Sequence, residues 1–315
     1  MDLPKVLVMM STYNGERYVA EQLDSIYAQR GVNVHLLVRD DGSRDSTISI
    51  LRKYLANGRK LTILQEKNIG AAYSFYELIR YAAEEMSVFE YYAFADQDDV
   101  WLDDKLLSAI LLMQQSNNQY MMAYCDWQPT DSELNPIHLH QEKDLGSIGA
   151  NIVSNHIAGC IQVLNRNLFV KLNSINSPEA KKELGKPMFF HDSWSAAVAY
   201  ALGADILHDA HPRMYYRQHG NNVVGAGKGG VFMRLYTRSM RYLKNKGRSK
   251  SMKCEYIRLC LWDDVTDENR RFIDLCANYR NSFVKRLHLW GCKQLYEYGF
   301  EENVGVFFLV LINKF

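Results

Sequence analysis

No apolar run in this sequence is long enough to cross a bilayer. The longest, Val304 to Ile312, has nine residues, against the roughly 20 that a helical span needs. Near the N-terminus there is only a five-residue apolar run, Val6 to Met10, and no small-residue cleavage site, so no signal peptide is expected. The six cysteines form neither a C-x-x-C pair nor a zinc-ligand spacing. In a chain of 315 residues that argues against a disulfide framework and predicts reduced, buried thiols of a cytoplasmic protein. Neither sign of charge dominates: 37 basic and 36 acidic residues leave a net charge of +1, which excludes a global polyanion binder but permits local patches. Internal repeats and low-complexity segments are missing too.

Core-forming material is plentiful, at 47% hydrophobic residues, enough for one large domain or two small ones. The first half alternates short β-rich runs with helical patterns. Strands are predicted at Val6–Met10, Val34–Arg39, Leu61–Leu64, Tyr91–Ala95 and Met121–Cys125. Helices are predicted at Glu16–Gln29, Asp45–Asn57, Ala71–Met86 and Asp103–Gln115, each with apolar residues recurring on one face. This order predicts an α/β fold, a mostly parallel sheet flanked by helices, in which ligands bind beyond the carboxyl ends of the strands. Every polar signature of this half falls at such an end: Ser11-Thr12-Tyr13-Asn14-Gly15 after the first strand, Asp40-Asp41-Gly42-Ser43 after the second, Asn68-Ile69-Gly70 beyond the third, and Asp96-Gln97-Asp98-Asp99 after the fourth. Four such loops at one end of one sheet describe a pocket.

The acidic loop carries the most chemistry. Asp96, Asp98, Asp99 and Asp104 fall within nine residues. Clustered acids repel one another unless a cation sits among them, and carboxylates suit a hard divalent ion, Mg²⁺ or Mn²⁺, that takes substrate phosphates as further ligands. A lone acidic turn before a helix would need no such ion, since Asp is favoured at helix N-termini. Trp101 beside it reads as structural cover rather than a sugar platform.

The pattern changes after about residue 130. Pro129 to Asn155 is polar and irregular, Ala158–Leu164 resembles a strand, and Asp192–Leu202 resembles a helix. Tyr215-Tyr216-Arg217 reads as a strand leading into Gln218-His219-Gly220-Asn221-Asn222, a lid candidate, and Gly225 to Gly230 reads as a hinge. From Arg234 to Lys253 there are eight Lys/Arg and no acids, with aromatic and aliphatic residues between them, a pattern suited to an anionic leaflet. The tail from Cys254 onward reads as helical and aromatic.

Taken in order and spacing, these motifs resemble glycosyltransferase family 2, the inverting, metal-dependent enzymes of the GT-A fold, over residues 5 to about 225. Ala158-Gly159-Cys160, Phe190-His191-Asp192-Ser193-Trp194 and Tyr216-Arg217-Gln218-His219-Gly220-Asn221-Asn222 resemble its bacterial rhamnosyltransferase branch, which builds cell-wall, capsular and O-antigen glycans. The resemblance implies a catalytic domain over residues 1–230, with a nucleotide-sugar-binding half (1–126) and an acceptor half (127–230). Residues 231–315 would form a helical extension serving membrane association or oligomerisation. It implies that Thr12, Tyr13, Asn14, Asp40 and Asn68 line the nucleotide site, with Asp40 accepting the base imide N–H through a charge-assisted bond. Asp96 would face the ribose or the metal, Asp98 would ligate the metal, and Arg217 and His219 would contact phosphate, His219 also serving as a metal ligand. Asp192 would be the general base, a role compatible with a helix start, while the roles of Asp99 and His191 stay open.

The expected activity is transfer of L-rhamnose from dTDP-L-rhamnose to a lipid-linked glycan, by a cytoplasmic protein held peripherally on the inner face of the plasma membrane. Another UDP- or dTDP-hexose donor, or a non-catalytic scaffold of the same fold, are the competing readings. A nucleotidyltransferase would want a glycine-rich basic phosphate loop near the N-terminus, which Ser11–Arg17 does not supply. A nucleic-acid binder is disfavoured because the basic residues sit in one late segment.

Overall fold

The computed structural model describes residues 2–137, 146–219, 249–297, 300–313 and 315. The chain divides into two compact units that interleave along the sequence: residues 1–143, 157–173 and 204–222 form the first, and 144–156, 174–203 and 223–315 the second.

The first unit is built on β1 (Lys5–Thr12), α1 (Val19–Tyr27), β2 (Asn33–Asp40), α2 (Thr47–Ala56), β3 (Leu61–Gln65), α3 (Ala71–Glu85), β4 (Tyr91–Ala95), the short β5 (Val100–Trp101), α4 (Lys105–Met113) and β6 (Met121–Thr130). After an excursion through α5 (Ile148–Val153) of the second unit it gains β7 (Gln162–Asn165) and α6 (Arg166–Leu172). A further excursion through α7 (Pro178–Leu184) and α8 (His191–Ala201) leads back to its last strand, β8 (Asp205–Arg217). The sheet order is β3-β2-β1-β4-β7-β6-β8-β5. Val6 to Met10 of β1 are completely buried, as a strand covered on both faces must be, with β2 and β4 parallel on either side. Helix α1 buries Val19, Leu23 and Ile26, the i, i+4, i+7 stripe that the sequence predicts.

Four of the five strands expected in the first half, β1 to β4, form one parallel part of the sheet, with their carboxyl ends at one end of it; β6 pairs in parallel with β8. Beyond β4 the sheet is mixed, because β7 runs antiparallel to both β4 and β6. The expected strand at Ala158–Leu164 is shorter: it opens as a single 3-10 turn, Gly159–Ile161, and the Gln162 side chain bonds back to the Ile157 carbonyl at 2.7 Å. Strand β6 instead continues past Cys125 to Thr130, through register shifts at Asp126 against β8. Pro129 is tolerated there because β7 pairs only with Met122–Tyr124, so no partner on that side needs an N–H.

The second unit is helical. After α5, α7 and α8 it continues with α9 (Ser249–Cys260), α10 (Asp267–Asn278), α11 (Phe283–Trp290) and α12 (Phe300–Leu311). Trp194 of α8 is fully buried and packs with Phe189 and Tyr256, ring centroids 5.6 and 6.2 Å away. That aromatic cluster locks α8 to α9. Among the described residues no helix is long and apolar enough to cross a membrane. The lid candidate from Gly220 onward, the hinge, and the basic residues Arg234 to Arg248 lie outside the described residues.

Candidate active site

At the carboxyl edge of the first unit's sheet the loops after β1, β2 and β4 are tied into one another. Asp40, fully buried at the end of β2, accepts hydrogen bonds from Thr12 Oγ1 (2.9 Å), the amides of Gly42 and Ser43 (3.2 and 2.9 Å) and Ser43 Oγ (2.5 Å). Gly42 has φ +82°, a left-handed turn that glycine adopts at little cost. Asn14, at φ +47°, accepts from the Arg44 amide at 2.9 Å while its own N–H donates to Ser43 Oγ at 2.9 Å. Further along, the Gly15 amide donates to Thr47 Oγ1, the Glu16 amide to Asp45, and the Ser46 amide to Glu16. The first two loops are thus zipped together before any ligand arrives.

A second tie runs from β2 to the loop after β3. Arg39 and Asp41 form a buried ion pair at 2.5 Å, with side chains only 4% and 3% exposed. Asp41 also accepts from the amides of Ile69 and Gly70 at 2.8 and 2.9 Å, fixing the Asn68-Ile69-Gly70 loop at the start of α3. Asn68 itself is exposed at this rim, as is Tyr13. The third tie is Gln97, which accepts from the Tyr13 amide at 2.9 Å and donates to the Tyr13 carbonyl at 3.2 Å. Gly15 permits that contact, since a Cβ there would lie 2.3 Å from Gln97 Oε1.

The acidic loop itself is supported from beneath and from the side. Gln22 of α1 donates to the Asp96 carbonyl at 2.9 Å, and the Trp101 amide donates to Ser25 Oγ at 3.0 Å. Trp101 is buried, and the Lys105 ammonium lies 3.5 Å from its ring centroid. Lys105 is itself buried and donates to the Cys160 carbonyl at 2.5 Å, so Trp101 packs over a buried amine. Asp99 is buried, and its Oδ1 accepts from the Arg217 amide at 3.2 Å, while Oδ2 has no hydrogen-bond partner. Burial and the neighbouring Asp96 and Asp98 push the Asp99 carboxyl well above its ordinary range. His219 Nε2 meets Asp98 Oδ2 at 2.7 Å, with its ring 4.9 Å from that of Tyr18.

Arg217 departs from the expected phosphate contact. Its guanidinium bonds the Asp98 carbonyl at 2.8 Å, the Ser132 carbonyl and the Glu21 carboxylate, and lies 4.5 Å from the Tyr18 ring centroid. Those partners commit it to clamping the acidic loop against α1 and the turn at Ser132. Sequence reasoning did not reach Glu21, Gln22, Gln97, Lys105 or the Arg39–Asp41 pair. One signal was available: Arg39 ends an otherwise apolar strand, two residues before an acid, and a charge in that position needs a buried partner.

The donor set fits a hard divalent cation. Asp96, Asp99 and Cys160 carry ligand atoms within 4.8 Å of one another. Burial holds the Cys160 thiol well above its ordinary value, so it stays protonated and is a poor ligand for Mg²⁺ or Mn²⁺. The carboxylates of Asp96 and Asp99 suit the oxygen preference of such ions, while Asp98 and His219, expected as ligands, meet each other at 2.7 Å and are not in that group.

Asp192 belongs to the second unit. Helix α8 begins at His191, so Asp192 lies in its first turn rather than at the cap, and the carboxylate accepts from the Ser193 amide at 2.7 Å. Burial raises the Asp192 carboxyl, and the Ser193 amide, Lys253 and Asn155 pull it back down. Lys253 Nζ donates to Ser193 Oγ at 2.7 Å and to the Asn151 carbonyl at 3.3 Å, and burial pushes it down to about 7. His191 is buried and pushed down to about 3, hence neutral at pH 7. Two of the eight residues in the basic stretch, Lys250 and Lys253, are therefore buried structural groups, not members of a solvated patch.

Comparison with known proteins decides the family. The profile of glycosyl transferase family 2 matches residues 7–172, more than half the chain. The chain belongs to glycosyl transferase family 2. Among curated relatives, the dTDP-rhamnosyl transferase RfbG of Shigella flexneri is 28% identical over 287 residues, 89% of this chain and 93% of that protein. The putative teichuronic acid biosynthesis glycosyltransferase TuaG of Bacillus subtilis is 29% identical over 167 residues, 51% of this chain and 62% of that one. Among solved structures, S. aureus TarS 1–349 in complex with UDP aligns with a TM-score of 0.53 at 16% identity, covering 99% of this chain and 92% of that one. The mannosyltransferase PcManGT from Pyrobaculum calidifontis, in complex with GDP-Man and Mn²⁺, aligns with a TM-score of 0.50 at 18% identity, covering 99% and 86%. These likenesses establish the GT-A fold. This family 2 member is a glycosyltransferase with a rhamnosyltransferase-like sequence.

Proposed function

We propose that this enzyme transfers L-rhamnose, with inversion, from dTDP-L-rhamnose to a lipid-linked glycan acceptor at the cytoplasmic face of the membrane. The observation that carries the donor assignment is the likeness to a dTDP-rhamnosyl transferase along nearly the whole length of both chains. Thr12, Tyr13, Asn14, Asp40 and Asn68 line the nucleotide end of the site in this reading, with Asp40 held by the amides of the turn that follows β2. Asp96, Asp98 and His219 would hold the divalent cation. Held there, Mg²⁺ or Mn²⁺ would supply positive charge to offset what develops on the departing nucleoside diphosphate. Arg217 and Glu21 act through position, by keeping the Asp98 backbone in place.

Asp192 takes the proton of the acceptor hydroxyl as the acceptor oxygen bonds to the anomeric carbon and the bond from that carbon to the diphosphate breaks. A single in-line displacement needs one such base. Its first-turn position in α8 and the buried partners Lys253 and Asn155 hold the carboxylate still, and a base whose proton affinity is raised by burial suits that task. The test is product formation from a panel of nucleotide sugars on a synthetic lipid-linked acceptor, with Mg²⁺, Mn²⁺ or EDTA. Turnover with dTDP-rhamnose that stops in EDTA is expected. Turnover with a different nucleotide sugar alone would remove the rhamnose assignment and leave the reaction class.

A further inference from the structure

The second unit presents two helical faces that its own core does not cover. On α11, Phe283, Val284 and Leu287 are 66%, 58% and 44% exposed, while Leu289 on the opposite side is buried. On α12, Phe307, Phe308, Leu311 and Ile312 are 36%, 54%, 51% and 49% exposed, while Val306, Leu309 and Val310 are buried. Positions 307, 308, 311 and 312 share one face of a 3.6-residue helix, and 306, 309 and 310 share the other. From Val304 to Ile312, the end of α12 and the residue after it, the chain is therefore apolar on both sides, a pattern that calls for a second apolar environment. The helices meet through Trp290 and Phe307, whose ring centroids are 4.7 Å apart.

The charges of α11 are of one sign: it carries Lys285, Arg286 and His288 and no acid, while the acids of this region are Glu297, beyond its end, and Glu301 and Glu302, in the first turn of α12. On the α11 wheel, Lys285 and Arg286 fall on either side of the exposed apolar stripe, where long basic side chains lay their stems along apolar surface and keep their charges in water. A two-fold pairing of α11 on the α11 of a second copy would set basic rim against basic rim. An anionic bilayer surface complements both components at once, the apolar faces entering the acyl boundary and the rim meeting the headgroups.

We propose that the exposed faces of α11 and α12, with the basic rim of α11, are the surface by which this protein docks on an anionic membrane. It deepens the reading of a lipid-linked acceptor and rests on it for its biological sense, but the test needs neither donor nor acceptor, so failure of the transfer reading leaves its outcome intact. The full-length protein is sedimented with phosphatidylcholine vesicles, with and without phosphatidylglycerol. Binding is expected only with phosphatidylglycerol and is expected to fall with salt. F308D/L311D should lose at least about tenfold in partitioning, and K285E/R286E should lose the preference for phosphatidylglycerol. V88D, which alters an exposed apolar residue of the first unit (69% exposed), should bind like the parent, and circular dichroism of each variant checks folding. Failure of the parent to bind, unchanged binding by F308D/L311D, or a dimer dispersed by F308D/L311D without vesicle binding overturns the proposal.

Discussion

Replacing Asp41 by alanine tests how far the donor-side loops are held by one buried charge pair. Asp41 and Arg39 are 3% and 4% exposed at the side chain and 2.5 Å apart. Asp41 also carries the amides of Ile69 and Gly70. Removing one partner of a buried pair leaves the other uncompensated, at a cost of about 3–5 kcal/mol. Arg39 keeps its bonds to Ser74 Oγ and the Lys67 carbonyl, which places the expectation near the lower figure. The two released amides add little, because Ile69 is 41% exposed and water reaches that rim. Arg39→Met in the Asp41→Ala background removes the stranded charge and should recover a substantial part of the loss, leaving a coupling of about 1–3 kcal/mol in a double-mutant cycle. Urea unfolding of the four proteins measures it, with nucleotide affinity as a second readout, since the 68–70 loop loses its anchor. A coupling near zero would refute the assignment of the pair as the anchor of that loop.

Other consequences are equally direct. Asp98→Asn should abolish transfer, and activity retained in full would remove Asp98 from the metal-binding set. Activity that depends on ionised Asp192 should rise with pH through a limb above the ordinary carboxylate range of about 4, because burial raises that group. The charge that acts on it is Lys253 of α9, and its neighbour His191 stays neutral. Lys253 favours the ionised carboxylate, so Lys253→Met should move the limb to higher pH and Lys253→Arg should leave it nearer the parent. An unmoved limb in both variants would separate Lys253 from the base. Gly15→Ala should displace Gln97, break its two bonds to Tyr13 and weaken nucleotide binding by about 1–2 kcal/mol, measurable by calorimetry. Gln97→Ala should show a similar loss if that bridge is the cause.

The parallel half of the fold was legible because its signals are local. Five consecutive apolar residues in β1 and the heptad-like stripes of α1 and α3 follow from burial on both faces of the sheet. Polar loops at strand ends follow from topology. The mixed half was less legible, since the antiparallel entry of β7 is set by long-range pairing with β4 and β6 and leaves no periodic trace in four residues. At the site, Asp40, Asp96 and Asp98 stand in motifs, and the structure puts Asp40 at the carboxyl end of β2 and Asp96 and Asp98 just past that of β4. Glu21 and Gln22 do not stand in a motif. They read as ordinary polar positions of an amphipathic helix, and only tertiary packing turns them toward the acidic loop. Lys250 and Lys253 show the opposite failure: a run of like charges suggests a solvated face, yet both amines are buried against the carbonyls of α5 and the start of α8.

Lys105 gives the acidic loop a counter-ion of its own. Its ammonium is buried beneath Trp101 and contributes a favourable field at Asp99, while Gln22 and Arg217 hold the loop through hydrogen bonds to the Asp96 and Asp98 carbonyls. The charge that a divalent cation would otherwise have to offset for the loop to fold is partly met from within the chain. In the reading proposed above, withdrawing the ion would halt transfer and leave the fold standing. Melting the parent in EDTA and in Mg²⁺ without nucleotide should accordingly show nearly the same midpoint, whereas Lys105→Met should melt lower in EDTA and regain part of the difference when the ion is restored.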